Sequence, residues 1–288
     1  MKYFKQLLLL AVAFMLLVGC GSESSTEKQD DTVLATTYPM YWLCTNLLEN
    51  TQGVQVEALI TEQVSCLHDY TLTTTQMRLI EGADLVVMSG AGLEHFMESA
   101  LDAVSTDKLV DSSVGIELID DDPHIWLDPE RYAQQAENVG AALSEKYPEQ
   151  ANTIQENTLR FAQELRELKE AMNEKLQAAS VETNIITFHD GFTYFADAFG
   201  LNILAAIEEE EGAEPSAAEI KEICTLVEEY NLKTIFVEIN GSTAAAEIIA
   251  QETGVAYRPL STIMGETEGG YQAAMEENIQ QLLTEDEK

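Results

Sequence analysis

The chain contains 288 residues, of which 51 are Asp or Glu and only 15 are Lys or Arg, giving a formal net charge of −36. A surface this acidic argues against nucleic acid as a partner and against electrostatic attachment to anionic lipid. Apolar residues make up 45% of the chain, which is enough to build two lobes from the roughly 255 positions that we expect to fold.

The N-terminus is expected to be a lipoprotein signal peptide, spanning residues 1–19. Lys2 and Lys5 form a positive segment, and the apolar run that follows is too short for a membrane span. Cys20 resembles the lipidated cysteine of a bacterial lipobox, with a plain secretion signal as the alternative. Residues 20–32 are polar and predict a disordered tether. We therefore expect a protein anchored to the cell membrane by lipid and facing outside the cytoplasm, on the extracellular or periplasmic side.

The remainder of the chain alternates between apolar strand-like runs and stretches with helical periodicity. The predicted strands are residues 33–37, 54–60, 84–89, 184–188, 203–207 and 234–238. The predicted helices are residues 41–48, 73–81, 93–104, 129–146, 217–230 and 243–252. Alternation of this kind predicts an α/β fold with mainly parallel sheets flanked by helices.

One long helix interrupts this alternation. Residues 148–180 are rich in Glu, Gln, Ala and Leu and lack Gly and internal Pro, which predicts a rigid helix of about 45 Å. It would link an N-terminal lobe, residues 33–147, to a C-terminal lobe, residues 181–288. Open α/β sheets bind ligands at the carboxyl ends of their strands, so we expect the site in the cleft between the lobes.

Histidine is the residue type that suggests chemistry. His68, His124 and His189 each lie in a short irregular segment, whereas His95 lies in a predicted helix among charged residues and is interpreted as a surface residue. Neutral imidazole is the commonest metal ligand in proteins, and three imidazoles suit zinc. For His68 alone, an exposed loop histidine is an equal alternative. The set predicts a transition-metal site with ligands from both lobes.

The surroundings of His124 and His189 support this interpretation. Pro123 biases the residue before it toward an extended conformation, and Asp128 and Pro129 are typical of the N-cap and first position of a helix. His124 is therefore fixed just before a helix start. His189 ends an apolar strand-like run and precedes a turn into a helix.

Several of these residues belong to motifs that resemble one known family, the metal-binding solute-binding lipoproteins of zinc and manganese ABC importers. The motifs are, in order, Thr36-Thr37-Tyr38-Pro39, His68-Asp69-Tyr70, residues 80–87, residues 90–94, Asp122-Pro123-His124-Ile125-Trp126-Leu127-Asp128-Pro129, Phe188-His189 and Ala213-Glu214-Pro215-Ser216. The resemblance implies two lobes joined by one long helix, with metal at their interface. It also implies that His68, His124 and His189 are ligands. Histidine at the third position points to the zinc subgroup, since manganese members resemble a pattern of two histidines and two carboxylates.

This chain differs from the family pattern at the position of the fourth ligand. Many family members have an acidic ligand in or near the segment that contains Arg258 and Ser261 in this chain. Water is the first choice for the fourth position, and Glu238 is the alternative. Asp69, Asp190 or backbone carbonyls are expected to orient the imidazoles. Residues 208–211, a run of glutamates, are interpreted as a solvated loop that could also attract cations.

The cysteines after Cys20 are Cys44, Cys66 and Cys224, and their redox states stay open. Cys66 lies two residues before His68, where a thiolate would raise zinc affinity. A partnership with Cys44 or a buried thiol is the preferred interpretation of Cys66.

These observations predict a non-enzymatic, monomeric receptor that binds Zn²⁺ and delivers it to an ABC permease and its ATPase. Import of manganese or iron on the same scaffold is the first alternative. A secreted zinc hydrolase is another, but the chain has neither His-Glu-x-x-His nor Gly-x-Ser-x-Gly. The sequence neither supports nor excludes a further role as a surface adhesin.

Overall fold

The computed structural model describes residues 30–62, 67, 70–120, 122–179, 181–208, 215–239 and 241–284, and for Glu208 its backbone only. The predicted signal peptide, Cys20 and most of the predicted tether lie outside the described residues, and the last two tether residues, Asp31 and Thr32, belong to the first strand. No helix in the described part of the chain is both long enough and apolar enough to span a membrane.

The N-terminal sheet has four parallel strands in the order β2-β1-β3-β4. Its strands are β1 (Asp31–Ala35), β2 (Val54–Ala58), β3 (Leu85–Met88) and β4 (Leu109–Asp111). The helices of this half are α1 (Tyr38–Leu47), α2 (Thr74–Gly82), α3 (Glu98–Leu101) and α4 (Pro129–Lys146), with 3-10 turns at Leu93–Met97, Thr106–Lys108 and Ile125–Leu127.

The C-terminal sheet repeats this topology with four parallel strands in the order β6-β5-β7-β8. Its strands are β5 (Asn184–His189), β6 (Asn202–Glu208), β7 (Thr234–Glu238) and β8 (Ala256–Leu260). Its helices are α6 (Thr193–Phe199), α7 (Ala217–Tyr230), α8 (Ala244–Thr253) and α9 (Gly270–Leu283). In both sheets the strand order reverses beside the first strand, and such a switch point is where α/β sheets bind ligands.

Helix α5 (Ala151–Ala179) lies between the two sheets in the chain and, at 29 residues, is about 44 Å long. Its apolar side includes Ile154, Phe161, Leu165 and Met172, all fully or almost fully buried. This side packs against α1, α4, α6 and α9, which belong to both halves of the molecule. The helix therefore connects the two sheets and also contributes to the core between them.

The two halves share one hydrophobic core as well as the long helix. Helix α9, at the C-terminal end of the described chain, packs back onto α1 and α5. The Trp42 ring lies against Gly270 so closely that a side chain there would overlap it. The Tyr271 hydroxyl donates to the carbonyl oxygen of Trp126 over 2.6 Å, and its ring lies 4.6 Å from that of Tyr132. Separating the halves would expose this apolar surface to water.

The predicted fold class, two α/β lobes with mainly parallel sheets, is confirmed. Three elements were not predicted, namely β4, β8 and α9. Strand β4 has only three residues, and β8 contains Pro259, which argues against a strand in sequence. Proline is tolerated in β8 because β8 lies at the edge of its sheet.

The prediction of one helix over residues 93–104 is wrong. The segment divides into the 3-10 turn Leu93–Met97 and the short helix α3, with non-helical dihedral angles at Glu94. The reason is that Glu94 turns inward, where its carboxylate accepts from the backbone N–H of Ser89 (2.7 Å) and of Gly90 (3.1 Å) and from the Thr36 hydroxyl (2.7 Å).

Candidate metal centre

Two of the three predicted ligands lie together between the lobes. His189 is the last residue of β5, and His124 lies just before the 3-10 turn that leads into α4. Their ring centroids are 5.2 Å apart and the ring planes are nearly perpendicular. Both residues are buried, with 5% and 7% of their surfaces exposed for His124 and His189. The fold therefore brings together two imidazoles that lie before and after helix α5 in the chain.

The orientation of His124 is set by Asp122. Asp122 Oδ1 lies 2.7 Å from His124 Nδ1 and accepts from the backbone N–H of His124 at 2.9 Å. Burial by itself would raise the pKa of Asp122, but its hydrogen bond with His124 and the charge of that ring more than offset this. The pKa of Asp122 therefore lies below its ordinary value. With Nδ1 engaged by a carboxylate, Nε2 is the nitrogen left to bind a metal.

The segment after His124 fixes this histidine to both lobes. The Trp126 ring is fully buried and lies 5.3 Å from the His124 ring. Its Nε1 donates to the carbonyl oxygen of Thr262, in the loop after β8, over 2.8 Å. Asp128 is the N-cap of α4, accepting from the N–H of Glu130, and Pro129 is the first residue of that helix. The predicted helix start is confirmed.

Glycine at position 191 allows the two imidazoles to approach the same point. A Cβ added to Gly191 would lie 2.6–2.7 Å from His189 ring atoms and 2.8 Å from His124 Cε1. No side chain fits there without displacing at least one ring. The turn after β5 is therefore shaped around both histidines.

Glu238, the alternative fourth ligand, ends the strand next to β5. Thr187 of β5 pairs with Phe236 of β7, so His189 and Glu238 each follow that pair by two residues. Glu238 is 6% exposed, and its Oε1 accepts from the Thr262 hydroxyl over 2.7 Å. Within the described ranges, no three His, Cys, Asp or Glu side chains come close enough to hold a metal ion. Glu238 thus does not complete a three-residue cluster with the two histidines.

His68, Asp69 and Cys66 lie outside the described residues, but residues on either side of them are described. Leu67 is buried at 1% exposure, and its carbonyl oxygen accepts from the N–H of Tyr70. The Tyr70 ring packs edge to face against Phe96. The Tyr70 hydroxyl accepts from the side-chain amide of Gln76 at 2.7 Å.

Arg258 and Ser261, the departures from the family resemblance, contact helix α9. The Arg258 guanidinium lies 3.5 Å from the carbonyl oxygen of Gln281. The N–H of Ser261 donates to the side chain of Asn278, whose amide donates back to the Ser261 carbonyl. In this chain both residues therefore contribute to packing of the C-terminal helix.

Other predicted residues have different outcomes. His95 is exposed, as expected for a surface histidine. Cys44 is a free, fully buried thiol, and burial raises its pKa to about 12, so it is unreactive at neutral pH. Of the 208–211 run, only the backbone of Glu208 is described.

Asp122 was not predicted as the partner of His124, since Asp69, Asp190 and backbone carbonyls were the expected partners of the imidazoles. Asp190 is exposed and, among the described residues, forms no hydrogen bond with either imidazole of the candidate site, so it is not placed to orient them. The sequence did contain an indication of the contact between Asp122 and His124. Asp122 precedes His124 by two residues, and an aspartate at that spacing can accept hydrogen bonds from both the backbone and the side chain of the later residue. The close approach of both rings to Gly191 was not predicted.

Two parallel α/β lobes with buried imidazoles from each side meeting between them define a metal-binding solute-binding protein of the bilobed type. The family model described as zinc-uptake complex component A, periplasmic, matches residues 33–285. The chain belongs to this family, which is described as a component of a zinc-uptake complex.

Individual relatives cover nearly all of the chain. The high-affinity zinc uptake system protein ZnuA of Bacillus subtilis is 26% identical, over 98% of this chain and 97% of its own length. The zinc-binding lipoprotein AdcA of Streptococcus pneumoniae is 27% identical over 96% of this chain, which spans only 60% of AdcA. The crystal structure of the Zn(II)-bound ZnuA-like domain of S. pneumoniae AdcA matches with a TM-score of 0.75 and 26% identity. That match covers 88% of this chain and all of the domain.

Proposed function

We propose that this protein is an extracytoplasmic receptor that captures Zn²⁺ between its two lobes and delivers it to an ABC permease and its ATPase. The observation that carries the proposal is the pair His124 and His189, buried and nearly perpendicular between the lobes. The zinc-binding relatives, which cover almost the whole chain, support the choice of metal.

We infer that His68, His124 and His189 bind the ion, with water in the fourth position. Three neutral imidazoles suit zinc, whereas manganese prefers a site with more oxygen ligands. Glu238 stays the alternative fourth ligand, but its carboxylate already accepts the Thr262 hydroxyl. The structure describes the surroundings of two of the three histidines, and the predicted role of His68 follows from the family resemblance.

The charge of the chain fits a protein whose cargo is a cation. The formal net charge of −36 would raise the concentration of cations near the surface and speed their encounter with the cleft. Such long-range attraction is not specific for zinc, so it would affect the rate of association more than the choice of metal.

Release to the permease is expected to involve a local rearrangement of the ligand segments. Wide opening of the lobes would have to separate α9 from α1 and α5 and break the hydrogen bond from Trp126 to Thr262. Movement of one ligand-bearing segment disturbs fewer contacts and still removes a ligand from the ion.

Cys20 is the proposed lipidation site that would hold the receptor at the outer face of the cell membrane. Confinement to the membrane surface would raise the effective concentration of the loaded receptor near its permease. The receptor is expected to act as a monomer. Its proposed parts are an N-terminal lobe (residues 33–147), a linking helix (residues 148–180) and a C-terminal lobe (residues 181–288).

Elemental analysis of the purified full chain, followed by competition between Zn²⁺ and Mn²⁺, tests the proposal. Zinc should be the metal that co-purifies, and excess Mn²⁺ should not displace it. A preference for manganese or iron would instead support the alternative proposal, in which the same scaffold imports one of those metals. Zinc-dependent turnover of ester or peptide substrates would instead support the hydrolase alternative.

A further inference from the structure

One carboxylate contacts both the segment that carries His124 and the segment that carries His189. Asp122 Oδ1 lies 2.7 Å from His124 Nδ1 and accepts from the His124 backbone N–H at 2.9 Å. Its Oδ2 accepts from the backbone N–H of Thr193 at 3.2 Å. Thr193 is the first residue of α6 and follows His189 by four positions. The side chain of Asp122 is about one-twentieth exposed.

We propose that Asp122 is the positioning residue of the metal centre, which orients His124 and joins it to the segment of His189. This inference rests on the proposed function, because it assigns a role toward the ion that the two histidines bind.

The first contact of Asp122 orients the His124 ring. An imidazole can bind metal through either nitrogen, and the hydrogen bond at one nitrogen decides which of them is available. Asp122 fixes the proton on Nδ1 and leaves Nε2 as the donor atom. A carboxylate partner also makes the ligating nitrogen more basic, and the loss of such partners commonly costs 10- to 100-fold in metal affinity.

The second contact of Asp122, with Thr193, limits the distance between the two ligands. Gly191, between His189 and Thr193, packs against both rings. The bond from Thr193 to Asp122 therefore holds this turn against the His124 segment. Without it, both the orientation of His124 and the approach of the His189 turn are less constrained. We expect the effect in the rate of zinc dissociation, since long-range attraction by the acidic surface controls encounter and is almost unchanged.

The matched control is Asp190, which is adjacent to His189 but is exposed and, within the described residues, forms no hydrogen bond with either imidazole, unlike Asp122. Asp190→Asn removes the same charge from the same cleft and leaves both oxygens of Asp122 in place. If Asp122 acted only through its negative charge near the ion, the two variants would release zinc at equal rates. If Asp122 positions His124, Asp122→Asn should release zinc much faster than Asp190→Asn, because an amide is a weaker acceptor for the imidazole N–H.

The experiment compares the full-length wild type with Asp122→Asn, Asp190→Asn and Asp122→Glu. Zinc dissociation is followed after mixing with excess chelator, and the absorption bands of the Co²⁺-loaded proteins report ligand geometry. We expect dissociation about 10- to 100-fold faster for Asp122→Asn, with altered Co²⁺ bands. Asp190→Asn should stay within about 3-fold of wild type, with its Co²⁺ bands unchanged. Asp122→Glu keeps a carboxylate acceptor, so its zinc dissociation rate should lie between those of Asp122→Asn and wild type.

Unchanged dissociation and Co²⁺ bands in Asp122→Asn overturn the inference, as does an equal effect of Asp190→Asn. An Asp122→Asn effect matched by a lower thermal midpoint of the metal-free protein, with unaltered Co²⁺ bands, also overturns it. If Asp122→Asn does not fold, the zinc dissociation rates of Asp122→Glu and Asp190→Asn are compared. Faster dissociation in Asp122→Glu supports the positioning role, and equal rates overturn it. His124→Ala, measured in parallel, separates the two proposals. Unchanged zinc affinity in His124→Ala would contradict the proposed site. A severe loss of zinc affinity in His124→Ala, together with wild-type zinc dissociation in the Asp122 variants, would contradict only the positioning role.

Discussion

The imidazole rings of His124 and His189 lie 5.2 Å apart between two lobes that a 29-residue helix connects in the chain. His189 reaches this position as the last residue of a central strand at the switch point of its sheet. His124 reaches it from an irregular segment fixed by Asp122 on one side and by Trp126 on the other. The proposed site therefore draws on both lobes, and we expect changes in either lobe to affect metal binding.

Gly191→Ala should weaken zinc binding because the added Cβ would lie within 2.6–2.8 Å of both imidazole rings. Overpacking of this kind costs about 1–3 kcal/mol, or roughly 5- to 150-fold in Kd if the strain is confined to the loaded state. Isothermal titration with Zn²⁺ measures the change. Gly82→Ala is the matched control, since nothing lies within 4 Å of a Cβ there. Equal affinities in the two variants would show that the turn tolerates a side chain.

Asp128→Ala should lower the free energy of unfolding by roughly 3 kcal/mol. The Asp128 carboxylate is 2% exposed, caps α4 and pairs with Lys169 of α5 and with Arg131, each at 2.7 Å. Its removal leaves two partly buried cations without this partner. Denaturant unfolding of the metal-free protein measures the effect.

The control for Asp128 is Glu49→Ala, which removes the exposed ion pair between Glu49 and Arg160. Exposed pairs contribute about 0–1 kcal/mol. A loss in Asp128→Ala no greater than in Glu49→Ala would contradict the proposed importance of this contact between α4 and α5.

Glu94 should make stability depend on pH in the opposite direction from a salt-bridged carboxylate. Burial raises its pKa to about 6 from an ordinary 4.5, although bonds from Thr36, Ser89 and Gly90 oppose the shift. Because the folded pKa is the higher one, protonation favours the folded state. The contribution is complete below about pH 4.5 and is lost as the pH rises through about 6.

Glu94→Gln isolates this contribution because glutamine does not titrate. The unfolding free energy of wild type minus that of Glu94→Gln should fall by about 2 kcal/mol between pH 4.5 and pH 7. Urea unfolding of both proteins across this range provides the measurement. A difference that is constant with pH, or that rises, would show that the buried carboxyl does not titrate as described.

Local sequence chemistry predicted the parts of the fold that depend on neighbours in the chain. The start of α4 at Asp128 and Pro129 was predicted because N-cap and first-turn preferences are local. Strand β8 was missed because Pro259 is acceptable only at the edge of a sheet, and a strand's place in its sheet is set by long-range pairing. The inward turn of Glu94 depends on donors from β1 and β3, and helical periodicity does not reveal it.

The candidate metal centre shows the same division. Histidine type and segment context predicted His124 and His189 as ligands, and the structure brings these two residues together. The family resemblance supplied the choice of zinc. The steric role of Gly191 and the bond from Trp126 to Thr262 required coordinates, because each depends on residues distant in the chain.

Zinc titration of histidine variants tests the central claim most directly. His68→Ala, His124→Ala and His189→Ala are compared with His95→Ala, which removes an exposed histidine. Each of the first three should weaken zinc binding by more than about 100-fold, beyond what loss of an outer partner costs, and His95→Ala should bind like wild type. Wild-type affinity in any two of the three would contradict the assignment of the site.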